Sequence, residues 1–137
     1  MNAKQPLSQQ GREAYTGQIK NFPKERYIST DWYAREWSAI WAKSWIAAVH
    51  VSDLTAPGNY LVFDLGPESI LLTCNKEGIV QAFYNVCQHR GVRLVDDHSG
   101  RRENFRCPYH SWRYSTDGDL IYAPHQEGFQ DGLPKQT

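Results

Sequence analysis

The sequence lacks any charge imbalance: across 137 residues, 15 Lys and Arg face 15 Asp and Glu, and no basic run occurs. Without a net field or a cationic stretch, no nucleic-acid partner and no membrane surface is expected. Long apolar runs are missing too. The longest, Trp45 to Val49, is far too short to cross a bilayer. The opening MNAKQPLSQQGREAYTGQ lacks the apolar stretch of a secretory signal, so a cytoplasmic location is expected. Cysteine is scarce. Three residues make an odd count that does not suit a disulfide scaffold and, beside histidine, points to metal. Internal repeats and low-complexity tracts are absent. Aromatic residues, by contrast, are plentiful, with five Trp and eight Tyr. The length suits one domain able to bury a core.

Residues 1–26 read as a polar arm, without apolar periodicity. Ser29, Thr30 and Asp31 then offer N-cap side chains. Tyr33, Trp37, Ile40 and Trp41 follow at i, i+4, i+7 and i+8. That spacing predicts a helix over Thr30–Lys43 with an aromatic face docked on the domain. Short apolar segments between turn residues come next. They predict strands at Trp45–Val49, Tyr60–Leu65, Ser69–Cys74, Ile79–Asn85, Asn104–Arg106, Arg113–Ser115 and Leu120–Tyr122, the last two joined through Asp117-Gly118. The fold expected is mostly β, a small antiparallel sandwich or barrel with an N-terminal α-helix. It occupies residues 27–125, with 126–137 as a tail.

Within this frame stands Cys87-x-His89, seventeen intervening residues, then Cys107-x-x-His110. Each pair falls at the tip of a predicted hairpin, so two tips side by side would close a four-donor site. Structural zinc is one candidate, but zinc modules commonly pair Cys with Cys in one half and His with His in the other. Here each half holds one of each. That suits a two-iron cluster with two Cys on one iron and two His on the other, the layout of a Rieske centre. Two ferric ions, two sulfides and two thiolates sum to zero, so an added electron meets an uncharged group. Thiolates in place of the two His would make the oxidised cluster doubly negative. The mixed set therefore raises the reduction potential, to roughly −150 to +300 mV. The imidazole N–H left free on each His can also link electron transfer to proton transfer.

Together, CQHRGVRL and CPYHSWRY resemble the signature of the Rieske non-haem iron oxygenases of aromatic-ring-hydroxylating type, in the N-terminal Rieske [2Fe-2S] domain of the alpha subunit. Tyr33, Trp37, Ile40-Trp41 and Ser44-Trp45, Pro57-Gly58-Asn59-Tyr60 and Phe83-Tyr84-Asn85-Val86-Cys87 extend the resemblance over residues 27–124. It implies a Rieske-type fold with a cluster-binding subdomain of two loops. It implies a [2Fe-2S] cluster on Cys87, His89, Cys107 and His110, and one-electron transfer as part of an oxidoreductase. The implied partners are a reductase or ferredoxin donor and a catalytic domain whose mononuclear Fe(II) belongs to a neighbouring subunit of a ring. There O₂ is activated, as in monooxygenases and dioxygenases, to hydroxylate or demethylate a small organic molecule. The resemblance gives His110 the exit toward that iron, through a bridging carboxylate. Two His and one carboxylate would hold the mononuclear iron. No such triad is available here, since His50, His98 and His125 lack the spacing. The catalytic domain is therefore absent from these residues, which alone would only transfer electrons.

Two departures stand out. Ser111 occupies the place where the family usually has Gly, which could alter the loop or set a hydroxyl near sulfide. Respiratory Rieske centres, which also resemble this one, carry a disulfide-forming Cys in each loop and a Ser two residues after the last His. Here those places are Val92, Tyr109 and Trp112, and fewer donors to sulfur imply a potential near the bottom of the Rieske range. Arg90 is read either as a cation supporting the reduced cluster or a docking partner, or as a surface residue paired with Asp96 or Asp97. Gly91 is expected to permit a tight turn and Pro108 to stiffen the second loop. Tyr109 and Trp112 flank His110 in the sequence and are read either as shielding the cluster from water or as filling the loop core. Cys74 reads as a small buried hydrophobe, His50 as a polar cap, and His98 and His125 as solvated. Three functions compete: the Rieske domain of a truncated or split oxygenase subunit, a free-standing Rieske-type ferredoxin, and a structural zinc module. The helix over Thr30–Lys43 favours the first, because free carriers usually start directly at the strands.

Overall fold

A computed structural model describes residues 23–129 and 132–133; the polar arm before residue 23 lies outside them. The chain divides into two compact units, Met1–Lys43 and Ser44–Thr137.

In the first unit, a short helix α1 (Glu25–Ile28), which sequence reasoning did not anticipate, precedes α2 (Thr30–Ala39). Ser29 is the N-cap of α2, its Oγ accepting from the Trp32 N–H at 3.4 Å. The predicted helix stops a turn early. Ile40 leaves helical geometry at φ −122° and ψ −68°, and Trp41–Lys43 forms a 3₁₀ turn. Trp41 thus departs from the i, i+4 stripe. Within this unit no residue of α2 is buried.

The second unit is mostly β, as expected, and holds two antiparallel sheets. Strands β1 (Asn59–Leu65), β2 (Glu68–Cys74), β3 (Val80–Tyr84) and β4 (Ser99–Arg101) form one, in the order β3-β2-β1-β4. Strands β5 (Asn104–Arg106), β6 (Arg113–Ser115) and β7 (Leu120–Tyr122) form the other, in sequence order. Trp45–Val49 is not a strand. Its apolar run does not alternate, and it packs by side chain instead: Ala48 and Val49 lie against Leu54, Leu72 and Cys74, while Trp45 is fully exposed. Leu54 comes from a 3₁₀ turn, Val51–Leu54, that His50 caps by accepting from the Ser52 N–H at 3.3 Å.

The main core joins the sheets. Tyr60 of β1 meets Phe105 of β5 edge to face, ring centres 5.5 Å apart, among Val62, Leu71, Val95 and Tyr114. Phe105 is 1% exposed, so truncation to Ala would cost about 3–5 kcal/mol. Buried polar groups add staples: Thr73 Oγ1 donates to the Thr116 carbonyl, and Asn75 Nδ2 to Asp117 Oδ1, both at 2.7 Å. Phe129 and Leu133, from the expected tail, also pack on this core.

Candidate metal centre

Two loops leave the core, one after β3 and one between β5 and β6, and they share a hydrogen-bond frame. In the first, the Cys87 N–H donates to the Val92 carbonyl at 2.7 Å and the Gly91 N–H to the Cys87 carbonyl at 2.8 Å. In the second, the Cys107 N–H donates to the Trp112 carbonyl at 2.7 Å and the Ser111 N–H to the Cys107 carbonyl at 3.1 Å. The same frame needs a left-handed residue four places after each Cys. Gly91 (φ 69°) provides it freely, and Ser111 (φ 64°) adopts it under strain. A Cβ at Gly91 would meet nothing within 4 Å, so backbone conformation alone accounts for glycine there.

These loops bring the two predicted histidines together and bury the two predicted cysteines. Cys87 and Cys107 are buried at 1% and 2% exposure, with free thiols. The rings of His89 and His110 lie 4.8 Å apart, centre to centre. His89 is exposed at the rim, and His110 is half-buried. Trp112 is buried in the core and stacks on His89 at 4.9 Å with 13° between planes, backed edge-on by Phe129. Its place in the frame, where its carbonyl closes the second loop, turns its ring inward. Tyr109 lies against His110, 3.7 Å between centres, and is 56% exposed. Arg90 pairs with neither acid considered for it. Asp96 goes to Arg93 at 3.6 Å and Asp97 to Arg102 at 2.7 Å, leaving Arg90 over the Tyr109 ring at 5.9 Å. Ser111 Oγ accepts from Arg106 Nη2 at 2.7 Å.

Two residues escaped sequence reasoning. Tyr114, 3% exposed, places its hydroxyl 3.4 Å from Cys87 Sγ and accepts the Gln88 N–H at 3.0 Å. Burial, then the hydrogen bond to Cys87, pushes its phenol well above the usual tyrosine range, so it stays protonated at neutral pH. Alternation along β6, which turns Tyr114 inward between Arg113 and Ser115, was the available signal. Asn85 accepts the Val95 N–H at 3.0 Å and donates to its carbonyl at 2.7 Å, clamping the chain on either side of the first loop. His98 and His125 are exposed, as expected, and Cys74 is fully buried.

The donor set fits an iron–sulfur group. His110 Nδ1 is buried and has no hydrogen-bond partner, the state of a nitrogen whose lone pair is meant for a metal. Among the described residues, no three His, Cys, Asp or Glu side chains converge on the position of a single ion. A two-iron cluster does not require that, since its donors divide between two metals.

Paired sulfur–nitrogen loops on a β scaffold define a Rieske-type domain, and comparison agrees. The chain belongs to the Rieske [2Fe-2S] domain family, whose model matches residues 44–134. It is 41% identical over 112 residues to the carnitine monooxygenase oxygenase subunit of Acinetobacter baumannii, covering 79% of this chain and 30% of that one. It is 32% identical over 111 residues to the large oxygenase component of the 2,4-dinitrotoluene dioxygenase system of Burkholderia sp., covering 80% and 25%. A solved quaternary ammonium Rieske monooxygenase overlays with TM-score 0.74 at 37% identity, over 83% of this chain and 31% of that one. The chain thus spans less than a third of the length of these relatives. They are mono- and dioxygenases, hence oxidoreductases, and what the chain shares with them is the N-terminal Rieske part. Membership in this family sets aside the structural zinc reading. Among the described residues, no helix is long and apolar enough to cross a membrane.

Proposed function

We propose that this chain moves single electrons within a Rieske oxygenase, Cys87 and Cys107 holding one iron of a [2Fe-2S] cluster and His89 and His110 the other. When bound, the cluster supplies reversible one-electron chemistry. The observation that carries this reading is the buried, unpartnered Nδ1 of His110, set beside two buried thiols in loops of matching frame. The chain's own residues have distinct tasks. The main core keeps both sulfurs from water. Trp112 covers one face of His89, Tyr114 donates a hydrogen bond to the Cys87 thiolate, and Asn85 fixes the first loop.

A reductase or ferredoxin would deliver the electron at the rim. The mononuclear iron of a catalytic domain in a neighbouring subunit of a ring would receive it by way of His110. Support for that route comes from the relatives, which are oxygenase subunits, one described in terms of inter-subunit electron transfer. The activity served is hydroxylation or demethylation of a small organic molecule; a carnitine monooxygenase and a dinitrotoluene dioxygenase both stand among the relatives. The helix α2, carried ahead of the strands, favours an oxygenase subunit over a free carrier. A cytoplasmic location and the division into arm (1–26), Rieske domain (27–125) and tail (126–137) belong to the same reading.

The test is anaerobic loading with iron and sulfide. A brown chain with two irons and two acid-labile sulfides, giving an electron paramagnetic resonance signal on one-electron reduction, is expected. A colourless, sulfide-free and silent chain rejects the proposal, and so does loss of only half the iron in a Cys87→Ala, His110→Ala double variant.

A further inference from the structure

The segments that carry the four donors, Asn85–Val95 and Asn104–Thr116, contain Arg90, Arg93, Arg106 and Arg113 and no Asp or Glu, in a chain whose charges balance as a whole. Arg93 is compensated by Asp64 at 3.1 Å and Asp96 at 3.6 Å. The other three have no carboxylate partner among the described residues. Arg106 donates to Ser111 Oγ, Arg113 lies 5.0 Å over the Tyr122 ring, and Arg90 faces Tyr109. Arg106 and Arg113 stand directly opposite each other across the β5–β6 ladder. Both are exposed, since Phe105 and Tyr114 beside them take the buried face. Like charges in such a pair weaken a hairpin. The nearby acids, Asp117 and Asp119, sit at its other end, in the turn between β6 and β7. Charge is therefore separated along this small sheet, with cations gathered beside the donor loops.

We propose that Arg106, Arg113 and Arg90 form a docking face for an acidic surface on the protein that donates the electron, an inference that rests on the electron-transfer reading above. Neutral partners hold these guanidinium groups in place without cancelling their charge. Exposed charge of one sign acts over about 8–10 Å in physiological salt and steers encounter. Such a surface suits a short-lived meeting, where charge sets the on-rate. A permanent subunit contact instead has a core depleted of charge. The exposed rings on this face, Tyr109 and Tyr122, lie under Arg90 and Arg113, so charge rather than a continuous apolar patch is what the face presents.

The experiment is stopped-flow reduction of the cluster-loaded chain by a reduced all-cysteine [2Fe-2S] ferredoxin of strongly negative net charge. One electron leaves the ferredoxin and arrives on the Rieske cluster, with no atom transferred. Reduced methyl viologen, a small cation, is the second reductant. Arg113→Glu is compared with the milder Arg113→Gln and with Lys76→Glu, the same charge change placed in the turn between β2 and β3. At low ionic strength Arg113→Glu is expected to slow the ferredoxin reaction about tenfold and Arg113→Gln less, while Lys76→Glu barely alters it. Viologen reduction should slow in none of them, and added salt should erase the differences. Equal slowing by Lys76→Glu, no slowing by either Arg113 variant, or parallel slowing with viologen overturns the docking face alone. A colourless chain overturns the electron-transfer reading, and the docking face with it.

Discussion

The Tyr114 hydroxyl stands 3.4 Å from Cys87 Sγ, and the Gln88 N–H already occupies its acceptor side at 3.0 Å. With Cys87 a metal-binding thiolate, which can only accept, the phenolic proton is directed at the sulfur. A donor there stabilises a thiolate, and more so when the cluster it ligates gains negative charge.

Tyr114→Phe removes that proton and nothing else of comparable size. At 3% exposure the site gives water little room to replace it. If the reduced state loses about 1.4 kcal/mol more than the oxidised one, the midpoint falls by about 59 mV, the one-electron equivalent. Potentiometric titration of the loaded variant checks this. An unchanged midpoint would mean that the hydroxyl does not act on the sulfur.

Ser111 predicts an unusual order of stability. A side chain in the left-handed region costs roughly 1–2 kcal/mol, of which glycine's own entropy returns about half. Its Oγ is held by Arg106, an exposed contact of small worth. Ser111→Gly should therefore gain about 0.5–1 kcal/mol, and Ser111→Ala, which keeps the strain and loses the bond, should lose a few tenths. Urea unfolding of the three proteins tests the order Gly, Ser, Ala. Serine above glycine would show that the Arg106 contact outweighs the strain.

The strands and the candidate donors were legible because their signals are local. Alternation and turn residues mark β1 to β3 and β5 to β7 within a residue or two, and Cys87, His89, Cys107 and His110 declare themselves by spacing. What escaped depends on distance. β4 is three exposed residues, Ser-Gly-Arg, that become a strand only by pairing with Asn59 to Leu61. Tyr114 reaches back 27 residues to Cys87 and Asn85 forward ten to Val95. Trp45 to Val49 misled for the opposite reason: apolar composition without alternation fits packing as well as pairing. Arg90 was judged by nearby acids in sequence, yet Arg93 and Arg102 take them.

Asn85 carries a larger stability burden than its polarity suggests. It satisfies both backbone groups of Val95 and also donates to Ser69 Oγ at 3.2 Å, all from a site 3% exposed. Asn85→Ala would orphan a buried N–H and a buried carbonyl, each costing about 1–3 kcal/mol. A loss of roughly 2–4 kcal/mol, with faster release of bound iron, is the expected result by thermal unfolding and chelator challenge. Asn85→Asp should do no better, because a buried carboxylate accepts where the Val95 carbonyl needs a donor. A loss below about 0.5 kcal/mol would show that water substitutes for the side chain.

The donor chemistry itself makes the sharpest prediction. In the proposed site His110 is a neutral ligand, so His110→Cys adds one negative charge to the cluster while keeping a metal-binding atom nearby. An electron then enters an anionic group rather than an uncharged one. All-cysteine clusters lie near −400 mV and Rieske centres at −150 mV or above, so a single exchange should lower the midpoint by roughly 100 mV or more. It should also change the resonance signal of the reduced state. His98→Cys, an exposed substitution outside the loops, controls for an added thiol and should leave both unchanged. If His110→Cys kept the midpoint and the signal of the parent, His110 would not be bound to iron, and the buried nitrogen that motivates its assignment would need another partner.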